Sequence, residues 1–230
     1  MRYIHTEDKE NIMELINTNI EKAIHRSQHT QRNWDLSKEI PEDDLNLIIT
    51  SVTQCPSKQN VAHYKVHAIT NRDIIESIHN HTRGFATSYT PYTAETNSQV
   101  LANLLLVFEE ISVNVSGDKI AVRNDETYML EQNTLTPEAK ALMMRDRHMA
   151  IGIAAGYANV VSALLGYGTG CCACFDPAPI KEILGLDNEI LLMMGIGYKD
   201  PNLNRRVHHT NHAFTFPTKA KQEIAVSWHK

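Results

Sequence analysis

From Met149 to Gly168 the chain carries no charged residue, and the stretch is long enough to span a bilayer. Whatever fold the chain takes must accommodate this segment. Its content points away from a membrane: Gly152, Gly156, Gly166, Gly168, Asn159 and Ser162 are spread among alanines, and no basic cluster follows closely. A helix buried on every side of a globular domain reads this way, its small residues letting a second helix approach closely. Thr136-Pro137-Glu138 places cap, proline and acid in the order that opens a helix. One helix is therefore expected from there to about Leu165, ended by Gly166-Tyr-Gly-Thr-Gly170.

The length of 230 residues suits one domain, 1–230, with a core large enough to need neither disulfides nor a structural metal. A 42% hydrophobic and 21% charged composition excludes a disordered chain. Twenty-two basic against 27 acidic side chains leave a net charge of −5, which argues against a general nucleic-acid binder. A local phosphate site needs only a few convergent cations. The 4 cysteines are too few for a disulfide scaffold, and Cys171, Cys172 and Cys174 are too crowded to brace distant segments. The N-terminus lacks the apolar core of a secretory signal. A reducing cytoplasm is the expected compartment, with no membrane partner.

Apolar residues at helical spacing predict a helix from about Glu7 to His25 (Ile12, Leu15, Ile16, Ile20, Ala23, Ile24) and a second opened by Pro41 (Leu45, Ile48, Ile49, Val52). Strands are expected near Tyr64–Thr70, Leu101–Phe108 and Glu189–Gly197, and short helices at Arg72–Asn80 and from Asp176-Pro177 to Gly185. Residues 81–98 read as a loop. Residues 110–135 form a polar segment around Gly117-Asp118, a hairpin or a cover over a site. The tail, 198–230, has little periodicity and is expected to wrap a surface. Strands interleaved with helices imply an α/β or α+β domain.

Three constellations could carry chemistry. His25-Arg26-Ser27-Gln-His29-Thr30-Gln-Arg32 packs cations and hydroxyls behind a helix, and a second basic group, Arg205-Arg206, lies in the tail. Guanidinium and hydroxyl groups both donate to phosphate oxygens, so two such clusters could share one phosphate if they met; each alone reads as a solvated surface. The turn Pro56-Ser57-Lys58-Gln59-Asn60 joins a helix to a strand, a frequent place for binding residues, though its residue types also suit an ordinary turn. Residues Gly166–Phe175 offer backbone N–H groups in a flexible turn beside three thiols. No Gly-x-Ser-x-Gly elbow occurs, and His208-His209-x-x-His212 lacks the glutamate of a zinc-protease helix, so no metal is expected.

Taken in order, these segments resemble the nitroreductase family of FMN-dependent oxidoreductases. His29-Thr30-Gln31-Arg32-Asn33-Trp34 is similar to its early phosphate-holding segment, and Cys55-Pro56-Ser57-Lys58-Gln59-Asn60-Val61-Ala62-His63-Tyr64 to the motif one helix later. The small-residue helix Ala154–Gly168, the strand Met193-Met194-Gly195-Ile196-Gly197-Tyr198 and the pair Arg205-Arg206 complete the order. The resemblance implies an α+β sandwich, a mostly antiparallel sheet flanked by helices, in an intertwined homodimer with a C-terminal arm. It implies FMN with its phosphate against His29, Thr30, Arg32 and Arg205 or Arg206, Arg26 standing in for an arginine that many members carry at Gln28. Pro56, Ser57 and Asn60, from the partner subunit, would face the isoalloxazine; Asn97 and Gln99 would reach its pyrimidine edge, and the backbone of Cys172, Ala173 and Cys174 would donate toward N5. The implied activity is ping-pong hydride transfer from NADH or NADPH to a nitroaromatic, quinone or similar small acceptor, with no catalytic acid or base in the protein. Ala62-His63 departs from the family's Gln-Pro, and residues 110–135 match no family signature. A flavin-fragmenting or dehalogenating member, or a non-catalytic FMN binder, are the alternatives.

Overall fold

The computed structural model describes residues 6–84, 96–111, 115–116, 119–121, 129–131, 136–217 and 220–229. Its centre is the strand β2 (Leu104–Glu110), LLLVFEE, buried along all but its last residue. Strands β1 (Tyr64–Ile69) and β7 (Ile190–Gly197) flank it, and β6 (Gly168–Cys172) closes the order β1-β2-β7-β6. Every pairing in this four-stranded sheet is antiparallel. A continuous apolar run fits such a strand because its alternate side chains enter two different cores. Leu105 and Val107 join Met193, Trp34, Ile75 and Ile78 on one face. Leu104, Leu106 and Phe108 join Met194, Ile48 and Val52 on the other.

Helices α3 (Arg72–His79) and α5 (Pro177–Leu184) cover the first face, α2 (Glu42–Thr53) and α4 (Pro137–Leu164) the second. Their ends follow the expected chemistry. Asn71 accepts from the Ile74 amide to cap α3, and Asp176 accepts from Ala178 ahead of Pro177 in α5. Gly185 ends α5 at φ 63°, a left-handed conformation that costs glycine no steric penalty. Helix α1 (Thr6–Ser27) lies against α4. Residues 115–116, 119–121 and 129–131 form a small antiparallel sheet, β3 to β5; the remainder of the expected cover at 110–135, and most of the loop at 81–98, lie outside the described residues.

Three expectations change. The central strand starts at Leu104 rather than Leu101. Asn97 caps a single 3-10 turn at Ser98–Val100, and the Asn103 amide donates to the Asp35 and Lys38 carbonyls, so residues 97–103 serve as a bracket instead of a ladder. The glycine-rich segment after α4 is a strand, because Gly168–Cys172 pairs in register with Met193–Gly197. Finally, α4 is not buried on every side. Ala150, Ala154, Ala158 and Ser162 face the core, while Met149, Ile153, Tyr157 and Leu164 are 39–49% exposed. Among the described residues no helix is long and apolar enough to cross a membrane.

Candidate functional site

The two basic clusters meet. The chain leaving α1 runs beside β6, forming a parallel bridge at Thr30–Thr169, with the Gln31 amide donating to the Thr169 carbonyl at 2.7 Å. The tail enters along the same segment: Trp34 bridges Lys199, and the Arg32 amide donates to the Arg205 carbonyl at 3.1 Å. Asn33 fixes this crossing, its amide donating to the carbonyls of Asn204 and Val207. The result places Arg205 Nη1 at 3.2 Å from the Thr30 carbonyl oxygen, 175 residues away in sequence.

Arg32 is the centre of the cluster. Burial, then the neighbouring charges of Arg205 and Arg206, push its guanidinium down to about 10. Its Nε is buried and has no hydrogen-bond partner among the described residues. The guanidinium carbon stands 4.5 Å from the centroid of the Phe216 ring, which covers it from the tail. His29 is lowered by desolvation and then by Arg205, Lys199, Lys221 and His25; Lys199 is lowered by burial and by Arg26. Among the described residues, the charges that shift Arg32, His29 and Lys199 are cationic. Such crowding is unfavourable until an anion compensates it, and phosphate suits a guanidinium fork.

The cover over Arg32 is itself pinned. His208 donates from Nε2 to the Thr96 carbonyl at 3.1 Å, and its Nδ1 accepts from the amides of Thr210 and Asn211. These bonds fix the Nε2–H tautomer of a neutral ring, and burial lowers its pKa. Phe214 and Phe216 stand edge to face at 4.9 Å beside it. The tail spacing Phe214-Thr-Phe216 is the signal that could have identified this cover.

The 97–99 segment is brought to the same place. Ser98 Oγ donates to the Arg32 carbonyl at 2.7 Å, and Trp34 Nε1 donates to the Ser98 carbonyl. Gln99 Nε2 donates to the Cys171 carbonyl at 2.7 Å, while Asn97 Nδ2 lies 3.4 Å from the Cys172 sulfur. Both amide side chains are thus engaged within the chain. The Cys172 thiol is buried and pushed up to about 11 by burial, so it packs as an inert side chain. Ala173 and Cys174 are exposed just beyond β6. Arg26 and His29 are exposed at the end of α1 and beyond it.

The Pro56–Asn60 turn is positioned separately, after α2 and against α4. Pro56 and Asn60 are exposed, and Ser57 is half-buried ahead of a 3-10 turn at Lys58–Asn60. Lys58 Nζ reaches Asp146 of α4 at 2.5 Å, a contact that no sequence pattern announced.

What the fold and site define is an α+β sheet protein in which the edge of β6, the chain behind α1 and the returning tail bring cationic side chains together. A model of the nitroreductase family matches residues 26–198, and the chain belongs to that family. No curated protein matches the sequence. Among solved structures, a Bacillus subtilis protein described as a nitroreductase is similar at 16% identity and TM-score 0.59, over 92% of this chain and 96% of that one. A Staphylococcus epidermidis protein described as an NAD(P)H:FMN oxidoreductase gives 18% identity and TM-score 0.55, over 80% and 89%. A nitroreductase family protein from Clostridium novyi gives 18% identity and TM-score 0.52, over 82% and 92%. At these identities the likeness concerns the fold.

Proposed function

We propose that the protein is an FMN-dependent NAD(P)H oxidoreductase that passes hydride equivalents to a nitroaromatic, quinone or similar small acceptor. The observation that carries this reading is the meeting of Arg32, Arg205 and Arg206 around the Thr30 segment, with a buried Arg32 Nε at its centre that has no hydrogen-bond partner among the described residues. The family membership and the Staphylococcus epidermidis structure support the same cofactor. The phosphate of FMN would be held by Arg32, Arg205, Arg206, His29 and Thr30, with Arg26 as an outer cation. When bound, FMN would supply the two-electron hydride-transfer chemistry between nicotinamide and acceptor. The protein's part is to bind and orient. Ser98 and Asn33 fix the Arg32 backbone, Phe216 and the His208 hairpin exclude water from its guanidinium, and Gln99 stiffens the Cys171 backbone ahead of Ala173 and Cys174.

A homodimer is part of the proposal. Helices α1 and α4 pack together yet leave Leu15, Ile16, Ile20 and Ile24 on one, and Met149, Ile153 and Tyr157 on the other, exposed. Ile224, Val226 and Trp228 of the tail are 69–82% exposed at alternating positions. Apolar surface of this extent marks an interface. A second copy would cover it, leaving Gly152 and Gly156, beside which a Cβ would meet nothing within 4 Å, as the places of closest approach. The partner would also bring its Ser57 and Asn60 turn to the flavin.

The absorbance spectrum of the purified protein tests the reading. Oxidised flavin bands that bleach on anaerobic NADH or NADPH and return with a quinone support it. A protein that neither retains nor takes up FMN refutes it.

A further inference from the structure

The turn at Pro56–Asn60 is poorly held by its own bonds. Ser57 is extended and makes no side-chain cap, and the turn closes through amide contacts of 3.3 Å (Asn60 to Ser57) and 3.2 Å (Val61 to Lys58). Asn60 has φ 56°, and among the described residues no other non-glycine residue lies in the left-handed region. Such a conformation persists only where the surroundings determine it. Among the described residues, two contacts of Lys58, the first residue of the 3-10 turn, hold it from outside: the His63 ring hydrogen-bonds the Lys58 backbone, and Lys58 Nζ donates to Asp146 Oδ2 of α4 at 2.5 Å. The Asp146 side chain is 8% exposed and that of Lys58 44% exposed. The Lys58 hydrogen bond holds the Asp146 carboxyl below its ordinary range, so it is a carboxylate facing a cation. The next residue, Arg147, pairs with Glu110 at the end of β2, which fixes this turn of α4 to the sheet.

We propose that Asp146 is a positioning residue: through Lys58 it holds the Pro56–Asn60 turn in the form that presents Ser57 and Asn60 to the isoalloxazine. The role in cofactor binding rests on the flavin reading above. The pair acts as a strut between α4 and the turn; Asp146 also meets Arg145 Nη2 at 3.5 Å, within its own helix.

Lys58→Met and Asp146→Asn, alone and combined, test it with two measurements on the full chain. The first is amide hydrogen exchange across residues 58–61 in the flavin-free protein. The second is FMN affinity, read from the quenching of flavin fluorescence. Each single variant should speed exchange in the turn by about tenfold and weaken FMN by about tenfold. The double variant should do no more than either single, because the two act as one unit, and exchange in the core-facing half of α4 at 154–158 should not move. Lys58→Met changes an exposed head group and keeps the test available if Asp146→Asn does not fold. Unchanged exchange in the turn, or additive losses in the double variant, overturns the strut. So does an effect of Lys58→Met that Asp146→Asn lacks, which would mean that Lys58 acts on the flavin directly. Wild-type protein that takes up no FMN overturns the flavin reading and the cofactor role with it; an unmoved turn in a protein that binds FMN overturns the strut alone.

Discussion

Replacing Arg32 with methionine separates two effects that the structure sets in opposition. In the flavin-free protein burial, followed by the charges of Arg205 and Arg206, pushes Arg32 down to about 10, so its charge is a burden there. Its compensation is the Phe216 ring at 4.5 Å, a contact of about 0.5–2 kcal/mol. Methionine keeps an apolar stem against Phe216 and removes the like-charge repulsion. The two changes offset, and the flavin-free variant should melt within about 1 kcal/mol of wild type. With FMN the balance reverses. A hydrogen bond between charged groups contributes about 1.5–3 kcal/mol, so losing the guanidinium should weaken FMN by about 10- to 150-fold. Titrating flavin-free protein with FMN at low salt, and following fluorescence quenching, measures the loss. The wild-type affinity should also fall as salt is raised, and that of Arg32→Met less steeply. An FMN affinity within twofold of wild type, in a variant that is folded, would refute the assignment of Arg32 to the phosphate.

Three further outcomes are expected. His79 is 7% exposed, and burial followed by the charges of His208 and His209 depresses its pKa from 6.5 to about 4. The unfolded chain therefore takes up a proton that the folded chain refuses; stability is full above pH 6.5 and falls, by about 3 kcal/mol from this group, as pH drops toward 4. Urea midpoints across that range measure the slope, and His79→Gln should flatten it. A methyl group on Gly195 would land on the Gln99 carbonyl oxygen, so Gly195→Ala should cost about 1–3 kcal/mol or more in thermal unfolding, by forcing β7 from the 97–102 bracket. Ile153→Glu, on the exposed face of α4, should leave the chain folded and shift sedimentation from dimer to monomer; a wild-type protein that sediments as a monomer would rule out the homodimer.

The local grammar of the chain was legible. Pro41, Pro137 and Asp176-Pro177 start helices where expected, Gly185 ends one, and the apolar runs at 104–110 and 190–197 are the two central strands. These signals survive because they act over a few residues: a cap bonds an amide two or three positions on, and a left-handed residue needs only its own backbone. The two basic clusters were visible as well, each by itself an ordinary charged surface. Their meeting was decided by tertiary structure, through the Thr30–Thr169 bridge and the Asn33 amide that grips the returning tail. Within Gly166–Phe175 the glycines signal a turn locally, whereas the strand at Gly168–Cys172 forms because register with β7 supplies bonds from residues more than twenty positions away. The uncharged stretch at 149–168 showed only that apolar surface must be covered. Which side the chain covers itself, at Ala154 and Ala158, and which it leaves open, at Ile153 and Tyr157, depends on where α2 and the sheet stand, and helical spacing alone contains no such coordinate.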